Sequence, residues 1–507
     1  MKKVLHFRRI INRMSQTMNP KEYKNKIGLL TPKKIGSGSY SKVYESSKDF
    51  AVKVQPTYDG VYIREIAILR YLNHPNIIKP EGYLFVNYTD EIHIAMQKAE
   101  STLVALIDSV PDIQTITSIS YQLLHALAYM EEKNIIHRDL KPGNILMYGN
   151  TVKICDFGLS KYFIDGKNSH TSHTSEVQTL WYRSPEVTFK QGYNFKTDVW
   201  SIGAIILEMA GNNLFKAQRY GYMEDAKDNN SNSTNDPKFI IKWFSYLLGA
   251  IPQEAKWSEN LPEEWLRKKS SLHKLCRFTG YPLINLVFKL LAWIPEDRPS
   301  AREALEHKCF EGNTVNDTPK EIKEQSFEWY NQKKSLQTMI GIRHREILFG
   351  WIWELSRDYK LSYQTPVLAF ALIDLFMSRR NISVTQLQLV GLACLSIVEK
   401  VHEVEMHTYK EWVYMTDNAY KARELSKMEE LILHEFNFDF MRIFHQILTY
   451  RLDRESWCIV SCLLCTDNPG SIDSILSKSV EEKRKLISLF QGSYKLKEMC
   501  LEVLSKE

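Results

Sequence analysis

The chain has 507 residues, a formal net charge of +6 and eight cysteines, which exceeds one ordinary domain of about 150 residues and excludes a small disulfide-framed scaffold. Eight Lys or Arg against one Glu fall in residues 1–27, a net of +7, leaving the other 480 residues near −1 and without an electrostatic case for binding nucleic acid. No unbroken run of about eighteen apolar residues is present, so no membrane span is expected, and the cysteine usage leads us to expect an intracellular, cytoplasmic or nuclear, setting.

The head of the chain, MKKVLHFRRIINRM, sets Val4, Phe7, Ile10, Ile11 and Met14 against Arg8, Arg9 and Arg13. It is too interrupted for a secretory signal and reads as a frayed or locally docked basic extension over residues 1–27, with membrane-surface binding, partner docking or import as alternatives. Ile35 to Val43 then reads IGSGSYSKV. Gly36 and Gly38 let the backbone bend closely over a phosphate, whose oxygens the loop N–H groups can reach. A β-rich Ala51-Val52-Lys53 follows, and Ile63-Arg64-Glu65-Ile66 opens an amphipathic stretch that runs to Leu72. Further on, His137 to Asn144 reads HRDLKPGN, and Asp156 to Gly158 reads DFG.

Those stretches, in that order, resemble the protein kinases. Transfer of a γ-phosphoryl group needs a carboxylate to orient the attacking hydroxyl, a cation beside the transferred phosphate and oxygen ligands for Mg²⁺. The resemblance gives Asp139 the first role, Lys141 the second, and Asn144 with Asp156 the third. It also makes Ile35, Gly36, Ser37, Gly38, Val43, Ala51 and Lys53 the ATP site, and pairs Lys53 with Glu65. A kinase-like domain that has lost a catalytic residue is the competing reading, and none of these is missing.

Within that family the chain resembles the cyclin-dependent kinases, through IREI followed by NHPNI, through EVQTLWYRSPEV over Glu176 to Val187, and through DVWSIGAIILE over Asp198 to Glu208. The lead before IREI, Gly60-Val61-Tyr62, is shorter than the family's. The likeness implies an activating phosphothreonine at Thr174, gathered by Arg64, Arg138 and Lys161, and inhibitory phosphorylation at Ser39 and Tyr40. It implies a catalytic-loop contact from Thr179, a pocket for proline after the target residue shaped by Arg183, and an ion pair of Arg298 with Glu186.

After Phe310 the sequence changes character. Thr318-Pro319-Lys320-Glu321 is a well-formed helix start, and from Arg345 helical apolar patterns follow without strand signals. HREILFGW over His344 to Trp351, LQLVG over Leu387 to Gly391, YMTDNAY over Tyr414 to Tyr420 and Phe438-Asp439 together resemble the cyclin box. The likeness makes Arg345 and Asp374 a structural ion pair, and makes Lys400 and Glu429 the pair that grips the kinase helix. Where cyclins carry Lys-Phe-Glu-Glu this chain has Lys400-Val401-His402-Glu403, without the aromatic. Cys458, Cys462 and Cys465 stand at i, i+4 and i+7 among apolar residues, which fits one face of a buried helix better than a metal site.

The expected fold class is an α+β bilobal protein kinase fold followed by an all-α cyclin fold. The expected divisions are a basic extension (1–27), a kinase domain (28–310), a linker with the first cyclin helix (311–337), a cyclin box (338–440) and a short C-terminal helical region (441–507) that is a candidate second cyclin lobe. The expected activity is ATP- and Mg²⁺-dependent phosphorylation of protein Ser or Thr, proline-directed, switched on by the fused cyclin-like half, within one chain or by exchange in a dimer. The alternative is an interaction protein that captures a foreign cyclin or a foreign cyclin-dependent kinase.

Overall fold

The computed structural model describes residues 33–38, 41–46, 50–58, 60–86, 89–163, 180–191, 194–211, 237–255, 257, 261, 269, 281–311, 340–403, 405–448, 477–489 and 500–501. The basic extension, Ser39, Tyr40, Thr174, Thr179, nearly all of the linker, and Cys458, Cys462 and Cys465 lie outside them. The described chain falls into two compact units. One comprises residues 1–56 and 72–321, the other residues 57–71 and 322–507.

The first unit opens with a five-stranded antiparallel sheet of β1 (Lys34–Ser37), β2 (Lys42–Glu45), β3 (Phe50–Pro56), β4 (Pro80–Val86) and β5 (Glu91–Gln97), in the order β1-β2-β3-β5-β4. The register sets Lys53 of β3 opposite Val43 of β2 and Ile94 of β5, so the lysine sits in the middle of the sheet. The helical part of this unit is built on α2 (Ile113–Glu132), α3 (Lys196–Met209), α4 (Pro237–Leu248) and α5 (Pro282–Leu290). Helix α2 starts where Asp112 accepts the Thr115 N–H, and it buries Ile116, Ile119, Leu123, Leu124 and Leu127, the spacing of one helical face. Helix α3 is buried on all sides. It lies so close to α5 that a Cβ on Gly203 would sit 2.9 Å from the Leu291 side chain.

Beside α2 runs the hairpin of β6 (Ile145–Tyr148) and β7 (Thr151–Ile154). Its outer ends carry the two motif loops, HRDLKPGN before β6 and DFG after β7. That placement follows from the register, which pairs Ile145 with Ile154 and so brings Asn144 and Cys155 side by side, the Cys155 N–H donating to the Asn144 carbonyl at 2.9 Å.

The second unit is helical: α6 (Ile342–Asp358), α7 (Gln364–Arg379), α8 (Val384–His402), α9 (Tyr409–Tyr414), α10 (Ala422–Phe436) and α11 (Met441–Leu448). With them belongs α1 (Val61–Tyr71), the helix that the sequence assigns to the first half. Nine of its eleven residues are buried, Arg64 and Glu65 included, where the amphipathic pattern predicted one buried face. Helix α8 is long and apolar enough to cross a membrane by length and composition, yet most of it is buried in the unit, as a core helix would be. Arg345 of α6 donates to both Asp374 carboxylate oxygens of α7 and lies over the Phe370 ring at 4.5 Å.

Candidate active site

Lys53 and Asp156 meet in the first unit, Nζ to Oδ1 at 2.8 Å. Burial pushes the Asp156 carboxyl up, but the Lys53 ammonium beside it, helped by His137 and Lys141, outweighs burial and holds it below the ordinary carboxylate value. Asp156 therefore carries an ionised carboxylate at neutral pH. Its backbone is left-handed, φ +68° and ψ +68°, a conformation that costs a non-glycine residue energy and is commonly retained where it aims a functional side chain.

Asp139 is held from two sides. Lys141 Nζ donates to its Oδ2 at 2.8 Å, and Asn144 Nδ2 donates to the same oxygen at 3.0 Å and to the Asp139 carbonyl at 2.8 Å. With both Nδ2 hydrogens so committed, the remaining Asn144 atom, Oδ1, is an acceptor. Asn144 Oδ1 and the Asp156 carboxylate are hard oxygen donors from neighbouring loops, a set that suits Mg²⁺ with phosphate oxygens completing its shell.

What fixes the catalytic loop is a residue whose role sequence reasoning left unread. Asp198 of α3 is wholly buried, and its carboxylate accepts the backbone N–H of His137 at 2.6 Å and of Arg138 at 2.9 Å. Burial pushes its pKa up against the pull of those donors. His137 continues the brace. Its Nδ1 accepts the Asp139 N–H at 3.2 Å, so Nε2 carries the proton and donates to the Cys155 carbonyl at 3.0 Å. Its ring meets Phe157 edge-on at 4.8 Å. Arg138, at φ +68°, donates to the Leu159 carbonyl. The signal was present: an aspartate in the first turn of an otherwise apolar helix asks for buried donors.

The glycine stretch turns tightly, Gly38 N–H to the Ser41 carbonyl at 2.9 Å. A Cβ on Gly38 would come within 3.2 Å of Ser41 Oγ, so a serine in the third place is accommodated because the second place stays glycine. Ile35 is exposed, Gly36 and Ser37 complete β1, Val43 faces across from Lys53, and Ala51 is buried in β3. Lys161 pairs with Ile136 in a short two-stranded ladder. Arg183 is half-buried; burial lowers its pKa against the attraction of Asp139. Glu186 and Arg298 form a buried two-pronged pair at 2.7 and 2.9 Å, the guanidinium lying over the Trp200 ring.

In the second unit α1 meets the end of α8. Arg64 Nε donates to the Lys400 carbonyl at 2.8 Å and Nη2 to the Glu403 carbonyl at 2.6 Å, a cation on the carbonyl end of a helix, where it is favoured. The sequence expectation placed this guanidinium at the phosphate on Thr174, which lies outside the described residues; its Nε and Nη2 are bound to backbone carbonyls, which carry no residue-type signal. Lys400 Nζ donates to both Glu429 oxygens, at 2.6 and 2.8 Å, in a site where both side chains are almost fully buried. Tyr409 donates its hydroxyl to Glu429 and offers its ring to Lys400 at 4.1 Å. Glu65 lies buried on α1, one position beyond Arg64.

Residues 30–310 match the protein kinase domain family, and residues 317–441 match the N-terminal domain of cyclins. Mitogen-activated protein kinase 10 of Oryza sativa subsp. japonica is 31% identical over 360 residues, covering 64% of this chain and 55% of that protein. Mitogen-activated protein kinase 9 of Arabidopsis thaliana is 31% identical over 344 residues, or 62% and 64%. The mitogen-activated protein kinase PMK1 of Pyricularia oryzae is 31% identical over 328 residues, 60% of this chain and 88% of that protein.

Proposed function

We propose, from the premise that this chain belongs to the protein kinase family and carries a cyclin N-terminal domain behind its kinase domain, that it is a Ser/Thr kinase of the cyclin-dependent type switched on by its own cyclin half. One observation carries the reading: α1, inside the kinase-matched residues, forms one compact unit with the cyclin helices, its Arg64 capping the end of α8. The relatives named as mitogen-activated kinases speak for the kinase half alone, and the cyclin domain favours the cyclin-dependent type.

The chemistry assigned to the chain's own residues is as follows. Asp139, oriented by Lys141 and Asn144, accepts the proton of the substrate hydroxyl as the oxygen attacks the γ-phosphorus, and Lys141 offsets charge on the transferred group. Lys53 holds the α and β phosphates, with Glu65 as its partner when α1 is seated. A bound Mg²⁺ would neutralise phosphate oxygens, and Asn144 and Asp156 are the residues that would hold it. The glycine stretch covers the phosphates through backbone N–H groups. Arg183, near Asp139, shapes the seat of the residue after the target, for which proline is the proposed preference. Thr174 remains the proposed activating site, with Arg64, Arg138 and Lys161 as phosphate partners, and Ser39 and Tyr40 remain proposed inhibitory sites. The proposed setting is intracellular.

The experiment is transfer of labelled phosphate from ATP with Mg²⁺ to a histone-like protein by the purified full chain without any added cyclin. Transfer by the single chain supports the reading. Transfer that requires a separate cyclin would favour the alternative, a protein that captures one.

A further inference from the structure

Helix α1 is met at both ends by aromatic side chains of the α10–α11 region. Near its start, Tyr62 is buried, 2% exposed, and meets the Phe438 ring edge-on, centroids 6.4 Å apart at 72°. At its last residue, Tyr71, also buried, meets His445 of α11 at 5.7 Å. Phe438 is placed by an unusual turn: Asn437 and Phe438 both have positive φ, +49° and +58°, after α10 ends. Two successive left-handed non-glycine residues cost energy, and that cost persists only where the surroundings impose it. Here the turn delivers a wholly buried ring to Tyr62.

We propose that Tyr62 and Tyr71 are the positioning residues that seat α1 on the cyclin half, a two-point aromatic latch in place of the longer lead before α1 and of the aromatic missing at Val401. The inference rests on the reading that α1 presents Glu65 to Lys53. Ring contacts at both ends of an eleven-residue helix hold its axis as well as its position, which a single anchor such as Arg64 cannot do. The ring, more than the hydroxyl, is the working part at Tyr62.

The test uses the full chain with Tyr62→Phe, Tyr62→Ala, Phe438→Ala and the double variant Tyr62→Ala/Phe438→Ala, and with Tyr71→Ala. Amide exchange over Val61–Tyr71 and kcat with ATP, Mg²⁺ and a protein substrate are measured together. An aromatic pair and its burial correspond to roughly tenfold to hundredfold. Tyr62→Ala is therefore expected to speed α1 exchange by about that factor and to lower kcat, with KM for the protein substrate unchanged, while Tyr62→Phe stays near the parent. The double variant should lose no more than the worse single one. Additive losses, or α1 exchange in Tyr62→Ala and Tyr71→Ala equal to the parent's, would overturn the latch. Exchange reports on the latch even if the parent proves inactive, in which case it is the kinase reading that fails.

Discussion

The catalytic cluster and the seat of α1 are built in contrasting ways. Asp139, Lys141 and Asn144 lie within six residues of chain and hold one another through side chains chosen by type. Arg64 reaches its partners across more than 330 residues, and those partners are carbonyl oxygens that any residue at Lys400 or Glu403 would supply. The first arrangement tolerates little change in residue type, while the second depends on the path of the backbone and on what packs around it. The proposed chemistry is therefore concentrated in a short, legible motif, and its proposed control is distributed over geometry.

The sharpest way to test the first half of that contrast is Asp139→Asn. The amide keeps the shape and can still meet Lys141 and Asn144 through its oxygen, but it cannot accept the hydroxyl proton. Phosphoryl transfer should fall on the order of 1,000-fold with ATP affinity nearly intact, as read by single-turnover kinetics beside nucleotide titration. Residual turnover above a tenth of the parent's would remove Asp139 from the role of base.

Lys400→Glu addresses the other half. Lys400 and Glu429 are 3% and 0% exposed in their side chains, so the substitution buries two carboxylates together under Tyr409. Breaking a buried pair costs about 3–5 kcal/mol, and the added repulsion makes the upper end the better expectation. Activity without an added cyclin should drop by more than tenfold, whereas the kinase half, followed by amide exchange along α2 and α3, should be little moved. Parental activity in this variant would mean that the cyclin half serves something other than activation.

The two regions differed in the same way as reading material. HRDLKPGN and DFG could be read from sequence because their spacing is the chemistry, and the all-helical second half was legible from its apolar periods. The role of Asp198 was not read, although DVWS was noticed, because its partners are the backbone N–H groups of His137 and Arg138, 61 and 60 positions away. The carbonyl partners of Arg64 were not read for the same reason. Nor could periodicity show α1 buried on nearly every side, since Arg64 and Glu65 on a helix read as a solvated face unless their partners are known.

Gly60→Ala is a gentler probe of the seat. Gly60 has φ +69°, and a Cβ there would lie 2.6 Å from both Cδ and Cε of Lys400. Those methylenes cannot swing aside freely, because Nζ is pinned to Glu429. Left-handed strain and the overlap together should cost about 2–4 kcal/mol, seen as faster amide exchange along α1 and weaker activity. Gly60→Ala with parental exchange at α1 would show that this approach is not needed for seating.

The smallest effect separates the two units by their response to acid. In the first, His74 Nδ1 accepts the Asn76 N–H at 3.1 Å, so Nε2 carries the proton and donates to His125 at 2.8 Å. A second proton would set two donors against each other; with burial as the larger cause and His125 as the second, the pKa of His74 is lowered from 6.5 to about 3. The unfolded chain thus takes up this proton first. The contribution of His74 is complete above its unfolded pKa and declines as pH falls below it, by about 1.4 kcal/mol per pH unit and so about 2 kcal/mol between pH 7 and 5. In the second unit His407 is shifted the other way, its pKa raised by the hydrogen bond to Glu399, while burial also pushes the Glu399 carboxyl up. Raised pKa values mean that the folded state holds the proton more tightly, so these groups add stability on acidification and lose it as pH rises through their folded values. Asp156 and Glu186, with lowered pKa values, act below the ordinary carboxylate range and leave this window alone. Amide exchange at pH 7 and 5, corrected for its intrinsic pH dependence, should show α2 losing protection while α8 gains it. His74→Asn keeps an acceptor for Asn76 and cannot titrate, so it should reduce the α2 response to the share of His125, whose pKa burial also lowers, and leave that of α8 unchanged; an α2 response undiminished by the substitution would assign it to another group.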